Sequence, residues 1–321
     1  MGCYKTVRTT IKNHPLAVLI LLAFILLALL YSLVTPPLEA GDESRHYAVV
    51  KYMADTGRLP VQQEGEAQIH WSHEGNQPPL YYALAAGLTF WIETGSWDDV
   101  FRYNPHTSIG NPLRPDNKNI TIHPPGSRWP WQGHVLAVHL IRFLSIAMAT
   151  VTVTTAYAIA FDLFQGRQWL AAGAMAITAF NPMFIFISAA VNNDNAVIML
   201  VTLSLWLMIQ ISKRATRPTS LPLALPALLG LLIGLGALSK LYAFGLLPLA
   251  ALLFFWLASQ PPTPTPPLHP SSFILHPSKS PNSQFPIPNS PLPTPWPSSA
   301  WPCWLLILVF YLPACCLVMI V

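Results

Sequence analysis

Pro15 to Val34 reads PLAVLILLAFILLALLYSLV, 20 residues with no charge and, besides Tyr31 and Ser32, no polar side chain. At about 1.5 Å per residue such a helix is about 30 Å long, the thickness of a bilayer's hydrocarbon core. Lys5, Arg8 and Lys12 precede the run, and the acidic stretch Glu39-Ala40-Gly41-Asp42-Glu43 follows it. That charge order is signal-like, but the apolar run exceeds a signal's core and no Ala-x-Ala site follows it. The expectation is an uncleaved span with the N-terminus in the cytoplasm. Met1-Gly2 with Thr6 also fits a myristoylation pattern and Cys3 a palmitoyl site, but lipid adds little to a chain already anchored by spans.

The rest of the chain reads as a membrane protein too. Hydrophobic residues make up 53% and charged residues 9%, where a soluble domain carries about 25% charged residues. The net charge of +4 is spread over loops with no dense basic stripe, so nucleic acid is not an expected partner. Cys3, Cys303, Cys315 and Cys316 have no metal-ligand spacing, and neither a disulfide framework nor a zinc site is expected from them. Further spans are expected at about 135–161, 169–191, 196–212, 221–239, 241–258 and 303–321. The fold class expected is therefore all-α, a polytopic membrane helix bundle of about seven transmembrane helices.

Residues 78–92, PPLYYALAAGLTFWI, are too short for a comfortable crossing and suit an interfacial or re-entrant helix. Charge agrees. If this segment does not cross, Arg167 and the group Lys213, Arg214 and Arg217 fall inside, and the uncompensated turn Asn192-Asn193-Asp194-Asn195 falls outside; crossing would invert all of these. Residues 36–133 then form one external loop of about 98 residues, and 15–258 form the transmembrane domain. Residues 259–302 hold 15 of the 33 prolines and repeat Leu-His-Pro-Ser at 268–271 and 275–278, the composition of a low-complexity linker. The last apolar block, 303–321, stops in mid-membrane, so the chain is expected to be an N-terminal fragment.

Three groups of residues carry possible chemistry. Asp42 and Glu43 stand at the membrane surface just after the first span, where a carboxylate beside cationic neighbours can act as a general base. Capping of the following helix explains the same residues. His70, His73 and Glu74 are metal-ligand types, but their spacing fits no established zinc pattern, and aromatic docking at the interface explains that loop as well. Arg142, Asp194 and Lys240 lie near the outer ends of spans, where an ionisable group is a functional candidate by default. Snorkelling, or for Asp194 a polar turn, is the alternative.

The order of these signals resembles the polytopic GT-C glycosyltransferases. Asp42-Glu43-Ser44-Arg45-His46-Tyr47 is similar to the Asp-Glu-x-Arg-Tyr of lipid A aminoarabinose transferases and the Asp-Glu-x-His of protein O-mannosyltransferases, with one extra residue before Tyr47. Gln77-Pro78-Pro79-Leu80 resembles the mannosyltransferases' His-Pro-Pro-Leu, with Gln in place of His. Asn181-Pro182-Met183-Phe184, Asn192-Asn193-Asp194 and the run from Gly230 to Lys240 resemble stretches of uncharacterised bacterial members.

The resemblance covers about residues 15–258. It implies inverting transfer of a sugar from a polyprenyl-phosphate donor to a lipid, glycan or protein acceptor on the outer face of the plasma membrane. Asp42 would be the catalytic base and Glu43 would orient substrate or assist. Arg45, His46, Gln77, Arg142, Asp194 and Lys240 would bind substrate, with Arg142 and Lys240 on the donor phosphate. No metal ligands are assigned, although a divalent cation, Mg or Mn, is possible, with the Asp42-Glu43 pair and Asp194 as holders. The lack of a Gly-x-x-x-x-Gly-Lys-[Ser/Thr] loop agrees with a lipid-linked rather than nucleotide donor. A transporter or flippase and an inactive or truncated family member are the competing expectations.

Overall fold

The computed structural model describes residues 13–61, 70–108, 113–115, 118–123, 129–215 and 222–260. The expected last span at 303–321 and nearly all of the expected linker lie outside the described residues.

The first helix, α1, is Pro15–Val34. Its proline sits in the first turn, where a missing N–H leaves nothing unsatisfied. After a short extended turn comes α2, Glu43–Thr56, closed by Gly57 at φ +66°, with the Gly57 N–H bonded to the Met53 carbonyl. A left-handed closing residue is what glycine adopts without steric penalty. A 3₁₀ turn at Ser72–Asn76 leads into α3, Leu80–Thr89, and a single turn, α4, spans Trp97–Val100. The 10 residues of α3 reach only about 15 Å. This helix is half the length of a span and packs on α2 and on the long helix that follows.

That long helix, α5, runs from Gly133 to Leu163, 31 residues, and is the axis of the bundle. It packs against α1 and against α6 (Gln168–Ala179), α7 (Pro182–Ser188) and α8 (Asp194–Ala215). Its buried face is rich in small residues, among them Ala137, Ala149, Thr152, Ala156 and Ala160. Small side chains let helices approach closely where lipid removes the hydrophobic drive for association. Thr150, Thr152, Thr154 and Thr155 each return their hydroxyl to the carbonyl four residues back, so the span carries no stray polar group there. The bundle closes with α9 (Ala224–Ala237), a 3₁₀ turn Leu241–Gly245 and α10 (Leu246–Ala258), which pack on α8.

The fold is thus an all-α membrane bundle. Among the described residues, four helices are long and apolar enough to cross a membrane, or five if α6 and α7 count as one span bent by 65°. Seven were expected, of which the one at 303–321 lies outside the described residues, and the rest of the difference has local causes. At 180–181 the chain breaks, because Pro182 cannot continue the ladder and the Asn181 side chain accepts the Met183 and Phe184 N–H groups as a new cap. The segment expected at 221–239 forms only the 14 residues of α9, short of the roughly 17 a span needs.

The segment between α1 and α5 is held to its own far end by Glu39. Its carboxylate accepts the Ile120 and Thr121 N–H groups at 2.7 and 2.9 Å, the Thr121 hydroxyl at 3.1 Å, and meets His123 Nε2 at 2.9 Å. Glu39→Ala is expected to cost the region about 1–3 kcal/mol, the penalty for orphaned donors. Faster amide exchange confined to residues 118–123, with helix α5 unchanged, is the outcome to look for.

Candidate functional site

Asp42 occupies the residue before α2, yet its side chain makes no capping hydrogen bond. Helix periodicity turns it instead toward His46, four residues on. Asp42 Oδ2 lies 3.2 Å from His46 Nε2, and Asp42 Oδ1 accepts a hydrogen bond from Asn192 Nδ2 at 3.3 Å. The Asp42 side chain is 44% exposed, whereas that of His46 is 2% exposed. The other imidazole nitrogen, Nδ1, lies 2.8 Å from the Tyr82 hydroxyl and 3.6 Å from Glu74 Oε2. Tyr82 and His46 also stack, 5.9 Å apart with 24° between planes.

Electrostatics sort these groups. Burial pushes the Asp42 carboxyl up, but the hydrogen bond and charge of His46, its own backbone, and the Lys240 charge together hold it below the usual carboxylate range. Asp42 therefore stays an anion, able to accept a proton, at neutral pH. Tyr82 moves the other way: burial first, then the nearby Glu74 carboxylate, keep its hydroxyl protonated well above the ordinary tyrosine range.

Across from Asp42, the turn between α7 and α8 and the end of α9 supply a second pair. Lys240 Nζ donates to Asp194 Oδ1 at 2.6 Å, with the two side chains 26% and 16% exposed. Tyr242 adds a ring 5.7 Å from the ammonium. The Asn192-Asn193-Asp194-Asn195 turn is more than a tight connection. Asn192 accepts the Asp194 N–H at 2.8 Å, Asn193 donates to the Ser239 carbonyl at 3.3 Å, and Asn195 donates to Ile187 and Asn192 carbonyls. Two further joints fix the geometry. The Leu80 N–H bonds the Leu238 carbonyl at 2.9 Å, locking the start of α3 to the end of α9. At Gly236 a side chain would meet the Ala243 Cβ at 3.1 Å, so glycine lets the following turn fold back and bring Lys240 inward.

Glu43 and Arg142 do something else. Both side chains are fully buried, and the guanidinium donates to Glu43 Oε1 and Oε2 at 2.8 and 2.6 Å. Its remaining N–H groups go to the carbonyls of Ser32 and Thr35 at 2.7 Å and of Pro36 at 3.0 Å. All five donors are therefore used, two on Glu43 and three on carbonyls at and just after the end of α1. Glu43 in turn accepts the N–H groups of Leu38 and Val191 at 2.8 and 2.9 Å. Leu38 is held at φ +68°, an unusual conformation for a branched side chain that this network sustains. The expectation that Arg142 grips donor phosphate and Glu43 orients substrate is thus corrected. The pair is a closed latch joining four segments, because no guanidinium N–H is left over.

The other expected residues divide. Asp42, His46, Asp194 and Lys240 converge. Arg45 is exposed on α2, and Gln77 is half-buried at the exit of the 3₁₀ turn, its N–H on the Glu74 carbonyl. Among the described residues no hydrogen bond joins either side chain to the cluster. His70 is exposed and stacks on Trp97 at 4.9 Å, and the His73 side chain lies outside the described residues. The cation set imagined from Asp42, Glu43 and Asp194 does not form, since Glu43 is taken by Arg142 and Asp194 by Lys240. Among the described residues, the potential ligands that do meet are Asp42, His46 and Glu74, with one donor atom of each within 4.8 Å of the others. Sequence reasoning assigned no role to Tyr82 or Asn192, and it grouped Glu74 with His70 and His73 rather than with His46. Their residue types carry no signal until α3 and the α7–α8 turn are folded against α2.

The comparisons bear on the second half of this site. Residues 123–269 match the model of the dolichyl-phosphate-mannose-protein mannosyltransferase family. The mannosyltransferase-like stretch is less than half of the 321 residues. It contains Arg142, Asp194 and Lys240 and leaves Asp42, His46 and Glu74 outside it. No curated protein and no solved structure matches the chain.

Proposed function

We propose that this chain is a membrane glycosyltransferase that moves a sugar from a polyprenyl-phosphate donor to an acceptor on the extracytoplasmic face of a bacterial plasma membrane. The observation that carries the reading is the convergence of Asp42, a half-exposed carboxylate held ionised, on the Lys240–Asp194 pair from the mannosyltransferase-like stretch. Apolar helices on one side and a polar external segment on the other would let a lipid chain lie in the bilayer while its phosphate reaches this cluster. With residues 36–133 outside, the N-terminus lies in the cytoplasm.

In the reaction, the acceptor's nucleophilic oxygen or nitrogen attacks the sugar's anomeric carbon and the bond from that carbon to the phosphate oxygen breaks. The electron pair leaves with the phosphate, the acceptor's proton goes to Asp42, and the anomeric configuration inverts. Lys240 offsets the charge that develops on the leaving phosphate; one of its N–H groups goes to Asp194, which aims the ammonium. His46 positions Asp42 from the side away from the acceptor.

The test is transfer of labelled sugar from polyprenyl-phosphate donors in membranes expressing the chain. Lys240→Gln is expected to lower kcat/KM for the donor by roughly 10- to 100-fold, the worth of a hydrogen bond to a charged group. Most of the effect should fall on the donor KM, and an unchanged donor KM would remove Lys240 from the phosphate.

A further inference from the structure

From the geometry around His46 we propose that Asp42, His46 and Glu74 form a binding site for one divalent transition-metal ion, set beside the Lys240–Asp194 pair. The three donors are of mixed type, one imidazole and two carboxylates, a set that suits Mn²⁺, Fe²⁺ or Zn²⁺ rather than an all-oxygen ion. They come from two elements far apart in sequence, and each brings a donor atom within 4.8 Å of the other two.

The arrangement has the second layer that a ligating histidine needs. His46 Nδ1 is engaged by the Tyr82 hydroxyl at 2.8 Å, and the ring stacks on Tyr82. With an ion on Nε2 in place of the proton that this nitrogen shares with Asp42, the imidazole would donate Nδ1–H to Tyr82 Oη, which fixes the plane of the ring. Nε2 is the nitrogen that faces Asp42, with 3.2 Å to Oδ2. Two ligands about 2.1 Å from one ion and about 100° apart stand about 3.2 Å from each other, so this edge already has the spacing of a bound ion. Glu74 is 4% exposed on the 3₁₀ turn, with Oε2 3.6 Å from His46 Nδ1, and its carboxylate would turn from that ring nitrogen toward Nε2 to complete the set. His46 and Glu74 form a buried floor, and Asp42, 44% exposed, forms an open rim toward Asn192, leaving coordination positions for water or a phosphate oxygen.

Such an ion would share the neutralisation of the leaving phosphate with Lys240. It would bind Oδ2 of Asp42 and leave Oδ1 facing the acceptor side, making Asp42 a weaker base and a firmer positioner.

Binding is measured without any donor substrate, and therefore apart from the glycosyltransferase reading. The full chain, purified in detergent and stripped with a chelator, is titrated with MnCl₂ and free Mn²⁺ is followed by electron paramagnetic resonance, with ZnCl₂ as competitor. The proposal expects one equivalent of Mn²⁺, displaced by Zn²⁺. It also expects at least a tenfold weaker Kd in each of the near-isosteric Glu74→Gln, Asp42→Asn and His46→Gln proteins, all eluting as wild type. Glu39→Gln, outside the cluster, is expected to bind normally. No saturable Mn²⁺ in the wild type, or affinity unchanged in Glu74→Gln and His46→Gln, overturns the site. Asp42-dependent sugar transfer by chelator-stripped protein would also overturn the ion's proposed role while leaving the transferase reading standing. Metal binding without transfer from any donor would do the reverse.

Discussion

Asp42→Asn is expected to lower sugar transfer by about 10²- to 10⁴-fold, the usual worth of a positioned general base. Asparagine has the same shape and can still receive the Asn192 amide hydrogen at its Oδ1, so the change removes charge and basicity with little change in packing. The side chain is 44% exposed and makes no capping bond to α2, so helix and bundle lose little. Protein level, membrane insertion and thermal stability are therefore expected to match the wild type while transfer collapses. Transfer within a few-fold of wild type would remove Asp42 as the base. Equal loss of folded protein and activity would mean that it serves the structure.

Arg142→Met is expected to do the opposite, destroying the fold before any question of catalysis arises. The substitution leaves the Glu43 carboxylate buried without its cation and strips three carbonyls at the end of α1 of their donor. Removing one partner of a buried ion pair costs about 3–5 kcal/mol, a large share of a total stability of about 5–15 kcal/mol. The expected result is protein that fails to accumulate, or that melts well below the wild type in detergent. Arg142→Lys should fall between, since one ammonium cannot serve acceptors spread around a planar guanidinium. The double change Arg142→Met with Glu43→Met should recover part of the stability, because no bare charge then remains inside. A stable Arg142→Met protein with a raised donor KM would restore the phosphate-gripping role that the geometry denies.

Much of the architecture was legible in the chain. Apolar runs of bilayer length announced α1, α5 and α8. The 10 residues of α3 were recognisable as too few to cross. The break at Asn181-Pro182 was less legible, because hydropathy runs through it and only the asparagine cap with the following proline divides it into two helices 65° apart.

The site was legible by residue type but not by partnership. Asp42 and Glu43 are neighbours with the same charge, and both looked like catalytic carboxylates. Successive residues at the start of a helix point about 100° apart. One is thereby turned inward onto Arg142 and Val191, the other outward toward His46 and Asn192. Likewise Arg142 and Lys240 are both cations near the ends of apolar runs, yet one is fully buried among carbonyls and the other stays a quarter exposed beside Asp194.

Composition and periodicity by themselves determined that this chain is a helical membrane protein with an acidic pair just beyond its first span, because hydrophobic length and local charge act over a few residues. The tertiary structure alone decided which carboxylate is structural and which is available, and it alone brought Glu74 and Tyr82 to His46. Those outcomes depend on contacts between segments 28 to 150 residues apart, and such contacts are set by how whole helices pack.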